Sequence, residues 1–251
     1  MKKILFCTVL FLLFAVSLGM AGCNSPNDKE PEDSTVSKEE ISLRSWSIGE
    51  IREAFDKLSC PVEDIDFQTD SSDSSAPVVC FKTNVSFSGS PDKIYSLLSQ
   101  LCAHENENLF AESIRIEGGT DNQKLSAVFS NPTARDVSRI AEDEAKEYIR
   151  SKWACLDRYS LVSAFTRLHL GYRTASAEFS LMPDKNGSVE IKLSMDFTTS
   201  AEFLSYRKAL SEDGSFELTD TKESGTSPDD PTPSYHADII LCTDKFRKTT
   251  S

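Results

Sequence analysis

Apolar and polar positions alternate with two different periods along this chain, and each change of period marks a new element. Ile48, Ile51, Phe55 and Leu58 recur at helical spacing, and Ser47-Ile48-Gly49-Glu50 has the spacing of a capping box, so a helix is predicted from Ser47 to the break at Ser59-Cys60-Pro61. "VEDIDFQ" then reads as a short strand with Ile65 and Phe67 inward. From Val79 the period is two: Val79, Phe81, Val85 and Phe87 share one face while Lys82, Asn84 and Ser86 share the other, which predicts a strand with one wet side. Ser90-Pro91-Asp92 opens a second helix with the stripe Ile94, Leu97, Leu98, Leu101. "ESIRIEGG" and "KLSAVFS" follow as two strands joined by a glycine turn.

Asn131-Pro132-Thr133 reads as a boundary. Beyond it Ile140, Ala141, Ala145, Tyr148, Ile149, Trp153 and Leu156 predict a long helix, broken before Leu161. Two alternating strands flank Asp184-Lys185-Asn186-Gly187, where Asn-Gly predicts a tight turn, and Val189, Ile191, Leu193, Met195 and Phe197 point one way. A helix from Ser200, with Phe203, Leu204 and Leu210, and the strands "SFELTDT" and "YHADIILC" complete the chain.

The order helix, strand, strand, helix, strand, strand therefore occurs twice. "VSFSGSPDKI" aligns with "MDFTTSAEFL", which puts Phe87 on Phe197, Ser90 on Ser200 and Ile94 on Leu204. The expected fold class is α+β: two tandem ferredoxin-like modules, residues 45–130 and 131–251, with helices packed on one face of antiparallel sheets. The first unit, "VSFSGSPDKIYSLLSQL" with its flanking strands and Gly89, resembles the periplasmic domains of PilO and of the type II secretion M protein. That resemblance implies a domain without catalytic residues that pairs with others like itself in an envelope assembly.

The N-terminus supplies an address. Met1-Lys2-Lys3 precedes a run from Ile4 to Gly22 without a charge, as in an export signal covering residues 1–22. Met20-Ala21-Gly22-Cys23 resembles the lipobox of bacterial lipoproteins, which implies lipidation of Cys23 after cleavage before it. The same run is about long enough to span a bilayer uncleaved; under either reading the body lies outside the cytoplasm, on a membrane anchor. Residues 23–44, rich in acids, serines and prolines, read as a disordered tether.

Charge narrows the partners. The chain carries a net charge of -13, and loss of residues 1–22 removes Lys2 and Lys3 and no acid, giving -15. Nucleic acid is excluded as a partner, since it needs a basic surface. Cys60, Cys80, Cys102, Cys155 and Cys242 remain in the body with no CxxC spacing; Cys102 continues an apolar stripe, and for the others both free thiol and disulfide stay open. His104, His169 and His236 have no metal-ligand spacing, and "HENEN" lacks the second histidine of HExxH. Glu63, Asp64, Asp66, Asp70 and Asp73 offer oxygens for calcium but lack the glycine and glutamate of an EF-hand loop. No catalytic residue, metal or cofactor is predicted.

The sequence thus points to a non-enzymatic lipoprotein that serves as a protein-interaction or scaffold module of a pilus or secretion-like assembly, with self-association among its options. The alternative is a small-molecule-binding lipoprotein with a cleft between the modules, lined by Trp46 or Trp153. A hydrolase would require a histidine beside an acid and a serine.

Overall fold

The structure, a computed structural model, describes residues 40–70, 73–119, 121–136, 138–225 and 235–248. The signal segment, Cys23 and most of the tether lie outside these residues. At the end of the tether span, Ile41 and Leu43 pack on a small apolar cluster, and Arg44 pairs with Glu50 and Glu107 at 2.6 Å each.

The elements run α1 (Ile48–Asp56), β1 (Val62–Asp70), β2 (Val78–Gly89), α2 (Pro91–Leu101), β3 (Phe110–Gly118), β4 (Gln123–Ala134), α3 (Arg139–Lys152), α4 (Arg158–His169), β5 (Arg173–Ser180), β6 (Val189–Phe197), α5 (Ser200–Asp213), β7 (Glu217–Gly225) and β8 (Tyr235–Thr243). The capping box forms as the spacing predicts: Ser47 Oγ accepts from the Glu50 amide, and the Glu50 carboxylate accepts from the Ser47 amide at 2.9 Å. That reciprocal pair holds the Glu50 carboxyl down at about 2.

The strands form one antiparallel sheet in the order β1-β2-β4-β3-β5-β6-β8-β7. Each half contributes four strands in the same internal order, first, second, fourth, third. The halves join where β3 pairs with β5, over Ser113–Glu117 and Ser176–Ser180.

A single apolar core lies on one face of the sheet, called here the front, and runs through both halves. It takes Ile51 and Phe55 from α1, Ile94, Leu97 and Leu98 from α2, Phe165 from α4 and Phe203 and Tyr206 from α5, over Phe87, Phe129, Phe179, Met195 and Leu241 of the strands. Burying these side chains is worth roughly 1.5–3 kcal/mol each.

The helices do not all lie on that face. Ala145 and Ile149 of α3, with Trp153, pack on Val78, Cys80 and Phe110, which point to the back because they alternate with front-facing residues. The even-numbered face of β2 is therefore wet only in part. A patch of three apolar residues at its end would otherwise meet water, and α3 covers it. The chain between Trp153 and Asp157 then returns to the front, so the predicted long helix is two helices on opposite faces.

Four local expectations need correction. Asn131-Pro132-Thr133 is strand, with Pro132 opposite Cys80, because β4 extends to cover the full length of β2. The loop at Asp184 is wider than a two-residue turn: Asp184 Oδ1 accepts from the amides of Asn186 and Ser188, and Gly187 alone takes positive φ, at 82°. Ile48, Ile140 and Leu204 are exposed, the last at 60%, while Tyr206 fills the core position on α5. The repeat alignment is one residue off across the helix start: α2 is N-capped by Ser90 and α5 by Thr199, which puts Ile94 on buried Phe203.

Candidate functional site

A cavity of about 570 Å³ opens where the two halves meet. The first half supplies Ser90 to Asp92 at the start of α2, Tyr95 one turn on, Gly118, Gly119 and Asp121 of the β3–β4 turn, and Gln123. The second half supplies His169 to Ala175, from the end of α4 into β5, and Asp196 of β6.

Local chemistry explains the shape. Gly118 takes φ of +136°, and a Cβ there would lie 2.6 Å from the Asn122 carbonyl oxygen, so only glycine lets the turn fold this closely over Gln123. Gly171 also has positive φ, at +98°, and turns the chain from α4 into β5. Leu170 caps α4, lines the cavity and leaves 64% of its surface exposed.

The floor is a polar chain. Tyr95 Oη donates to Thr174 Oγ1 at 2.8 Å, and Gln123 Nε2 donates to the Thr174 carbonyl at 2.9 Å. A carbonyl can only accept, so the amide orientation is fixed and Gln123 Oε1 faces away from Thr174. That oxygen is buried and has no hydrogen-bond partner, in a residue only 3% exposed. His169 is also present but is engaged: Nδ1 meets the Phe165 carbonyl at 2.8 Å and Nε2 meets Tyr206 Oη at 2.9 Å. Burial depresses its pKa to about 4, so the ring is neutral.

A second cluster lies on the back face. Ser194 and Asp196 project from β6 and His236 and Asp238 from β8, with Asp196 opposite His236 and Ser194 opposite Asp238. His236 Nε2 lies 3.1 Å from Ser194 Oγ, and Nδ1 lies 2.8 Å from Asp196 Oδ1. This is the hydrogen-bond order of a serine, a histidine and an acid. Asp238 also reaches Nε2, at 3.3 Å, and the bond to Asp196 first and Asp238 next raises the imidazole pKa. β6 is also an interior strand, its amides spent on β5 and β8, so its backbone has none left to hold an oxyanion. Sequence reading missed the cluster. Its signals, Ser194-x-Asp196 and His236-x-Asp238, gain meaning only from the β6–β8 register.

The other singled-out residues have structural duties. His104 stacks edge-on to Trp46 and bonds Glu107 at 3.0 Å. Glu63, Asp64 and Asp66 lie along β1 rather than around a loop, and among the described residues no cluster of His, Cys, Asp or Glu is arranged to hold a metal ion. Cys60, Cys80, Cys102, Cys155 and Cys242 are all free thiols. Neither tryptophan lines the inter-half cavity: Trp46 borders a smaller hollow beside α1, and Trp153 lies under α3 and donates to Glu112 at 3.1 Å. Among the described residues no helix is long and apolar enough to cross a membrane. No protein-family model, curated protein or solved structure matches the chain.

Proposed function

We propose that this chain is a non-enzymatic, lipid-anchored protein of the bacterial cell envelope, held by Cys23 and built of two tandem ferredoxin-like modules that bind protein partners. The observation that carries the reading is the bare back of the second half. Among the described residues no helix covers β5, β6, β8 and β7 there, and the face carries Glu178, Lys192, Asp220, Lys222 and Asp238 in close array around a shallow trough of about 390 Å³. Opposite charges on neighbouring strands set the register for a partner rather than an affinity for polyanions. β7 is the last strand of the sheet, mostly exposed along Glu217–Gly225, and offers an unpaired edge for strand addition. Pilus and secretion-platform subunits are the proposed partners, on the strength of the resemblance of the first unit.

The test is crosslinking in living cells of a C-terminally tagged chain beside a Cys23→Ala control. Capture of such subunits, lost in the control, is the expected result. Recovery of the chain alone would sink the reading.

One observation favours a second reading, a small-molecule-binding lipoprotein: the inter-half cavity is of a size that suits ligands and is lined by polar residues of both halves.

A further inference from the structure

β7 is one of the two outer strands of the sheet, and its charges are complementary to themselves. It pairs with β8 alone, so its other side is an open edge among the described residues. Asp220, Lys222 and Ser224 point to the back, opposite Ile240, Asp238 and His236 of β8, and Thr221 stands between the first two. The Thr221 amide donates to Asp220 Oδ1 at 2.8 Å. An N–H carries one hydrogen, so this amide is not spent on β8 and faces the open edge.

When two copies of one strand pair antiparallel about a twofold axis, opposite residues share a face, so the axis passes through a residue. An axis at Thr221 sets Thr221 opposite Thr221, Thr219 opposite Glu223 and, twice over, Asp220 opposite Lys222. Axes at Asp220, Lys222 or Glu223 set a charge against its own copy. With the Thr221 amide turned outward, the Thr221 pair exchanges backbone hydrogen bonds across the axis.

The other outer strand has no such register. β1 holds Glu63, Asp64, Asp66 and Asp70 and no base, and every axis from Asp64 to Gln68 brings acid against acid. In a chain of net charge -13, two copies repel, and the β7 edge offers them a local attraction.

We propose that a second copy of this chain fills the β7 edge: two β7 strands pair antiparallel about Thr221 and join the two sheets into one. The dimer is closed, because both β7 edges are used and only the acidic β1 strands remain outside. The proposal rests on the reading of β7 as a binding edge and names the strand that fills it, leaving the back face to other subunits.

Light scattering of the full chain in detergent, over a range of concentrations, is expected to show an equilibrium of monomer and dimer. Lys222→Asp sets acid against acid twice and Asp220→Lys sets base against base twice, and each is expected to weaken the dimer about tenfold or more. The double reversal, Asp220→Lys with Lys222→Asp, restores both pairs and is expected to dimerise like the original chain. Mixed together, the two single variants are expected to form a heterodimer, since every charge then meets its opposite. Both positions are exposed, and thermal melts of each variant check that the fold is intact.

A chain that stays monomeric at every concentration overturns the proposal, and capture of envelope subunits by crosslinking in cells then leaves the partner reading standing. A dimer unchanged or strengthened in Asp220→Lys, the variant with less net charge, answers overall repulsion rather than the Thr221 register and overturns the proposal too, as does a dimer that the double reversal fails to restore. A dimer that follows the charge swaps upholds it, even where crosslinking captures no pilus or secretion subunit and that reading falls.

Discussion

His169 and His236 lie on opposite faces of the sheet and answer protons in opposite ways. On the closed front face His169 stacks on Phe165 with ring centroids 4.0 Å apart, has both nitrogens bonded, and is kept neutral by burial. On the open back face His236 is one-third exposed, sits between two carboxylates, and holds its proton more firmly than a free imidazole. The difference is one of burial and of the company each ring keeps. The front converts side chains into stability, and the back keeps its charges available.

The largest blow to that division falls on Arg158, whose side chain is fully buried at the start of α4. Its Nε donates to the Ala111 carbonyl at 2.7 Å, Nη1 to Trp153 O at 2.5 Å and to Glu105 at 3.3 Å, and Nη2 to Leu181 O at 2.9 Å. Burial raises the Glu105 carboxyl pKa, and Arg158 opposes that rise. Arg158→Leu leaves a carboxylate and three carbonyls stranded at once and is expected to cost about 3–5 kcal/mol in urea unfolding. A loss under 1 kcal/mol would mean that water reaches the site and the front is less closed than described.

Next in size is the pH response of the front face. Because His169 falls from 6.5 to about 4 on folding, the unfolded chain binds the extra proton between those values. Stability is therefore full above pH 6.5 and drops as pH falls toward 4, by up to about 3 kcal/mol. His169→Gln is expected to flatten that slope in melts taken across the range; an unchanged slope would assign it to other groups.

On the back face the sign reverses and the size shrinks. His236 has a raised pKa, so its contribution is present at low pH and fades as pH rises through the folded value. Exposure screens it, and His236→Asn is expected to shift stability by less than about 1 kcal/mol. The smallest effect concerns Ser194: the chain and its Ser194→Ala variant are expected to hydrolyse p-nitrophenyl acetate equally slowly. A Ser194-dependent rate would replace the proposed binding role of the back face with a catalytic one.

Much of this division was legible in the sequence, and the rest was hidden by long-range pairing. The alternation of Val189, Ile191, Leu193, Met195 and Phe197 is local and its face is buried as expected. The covering of Val78 and Cys80 by α3 was not legible, because a strand that is apolar on both faces at one end looks like a strand with two chance apolar residues. Ile140 and Leu204 misled for the converse reason: they fit a helical period, and only packing shows that Tyr206 is chosen over Leu204. The cavity joins residues of both halves, such as Gln123 and Thr174, and no spacing within either half announces it.

The short seam between β3 and β5 carries one more consequence. β3 and β5 meet only over Ser113–Glu117 and Ser176–Ser180, whereas β2 and β4 pair along their whole length. If the seam parts, each half shows a bare strand of the kind it had just lost as a neighbour. Two copies that open there can trade halves and close again with the same pairings, so the junction is also the natural place for a domain-swapped dimer to form.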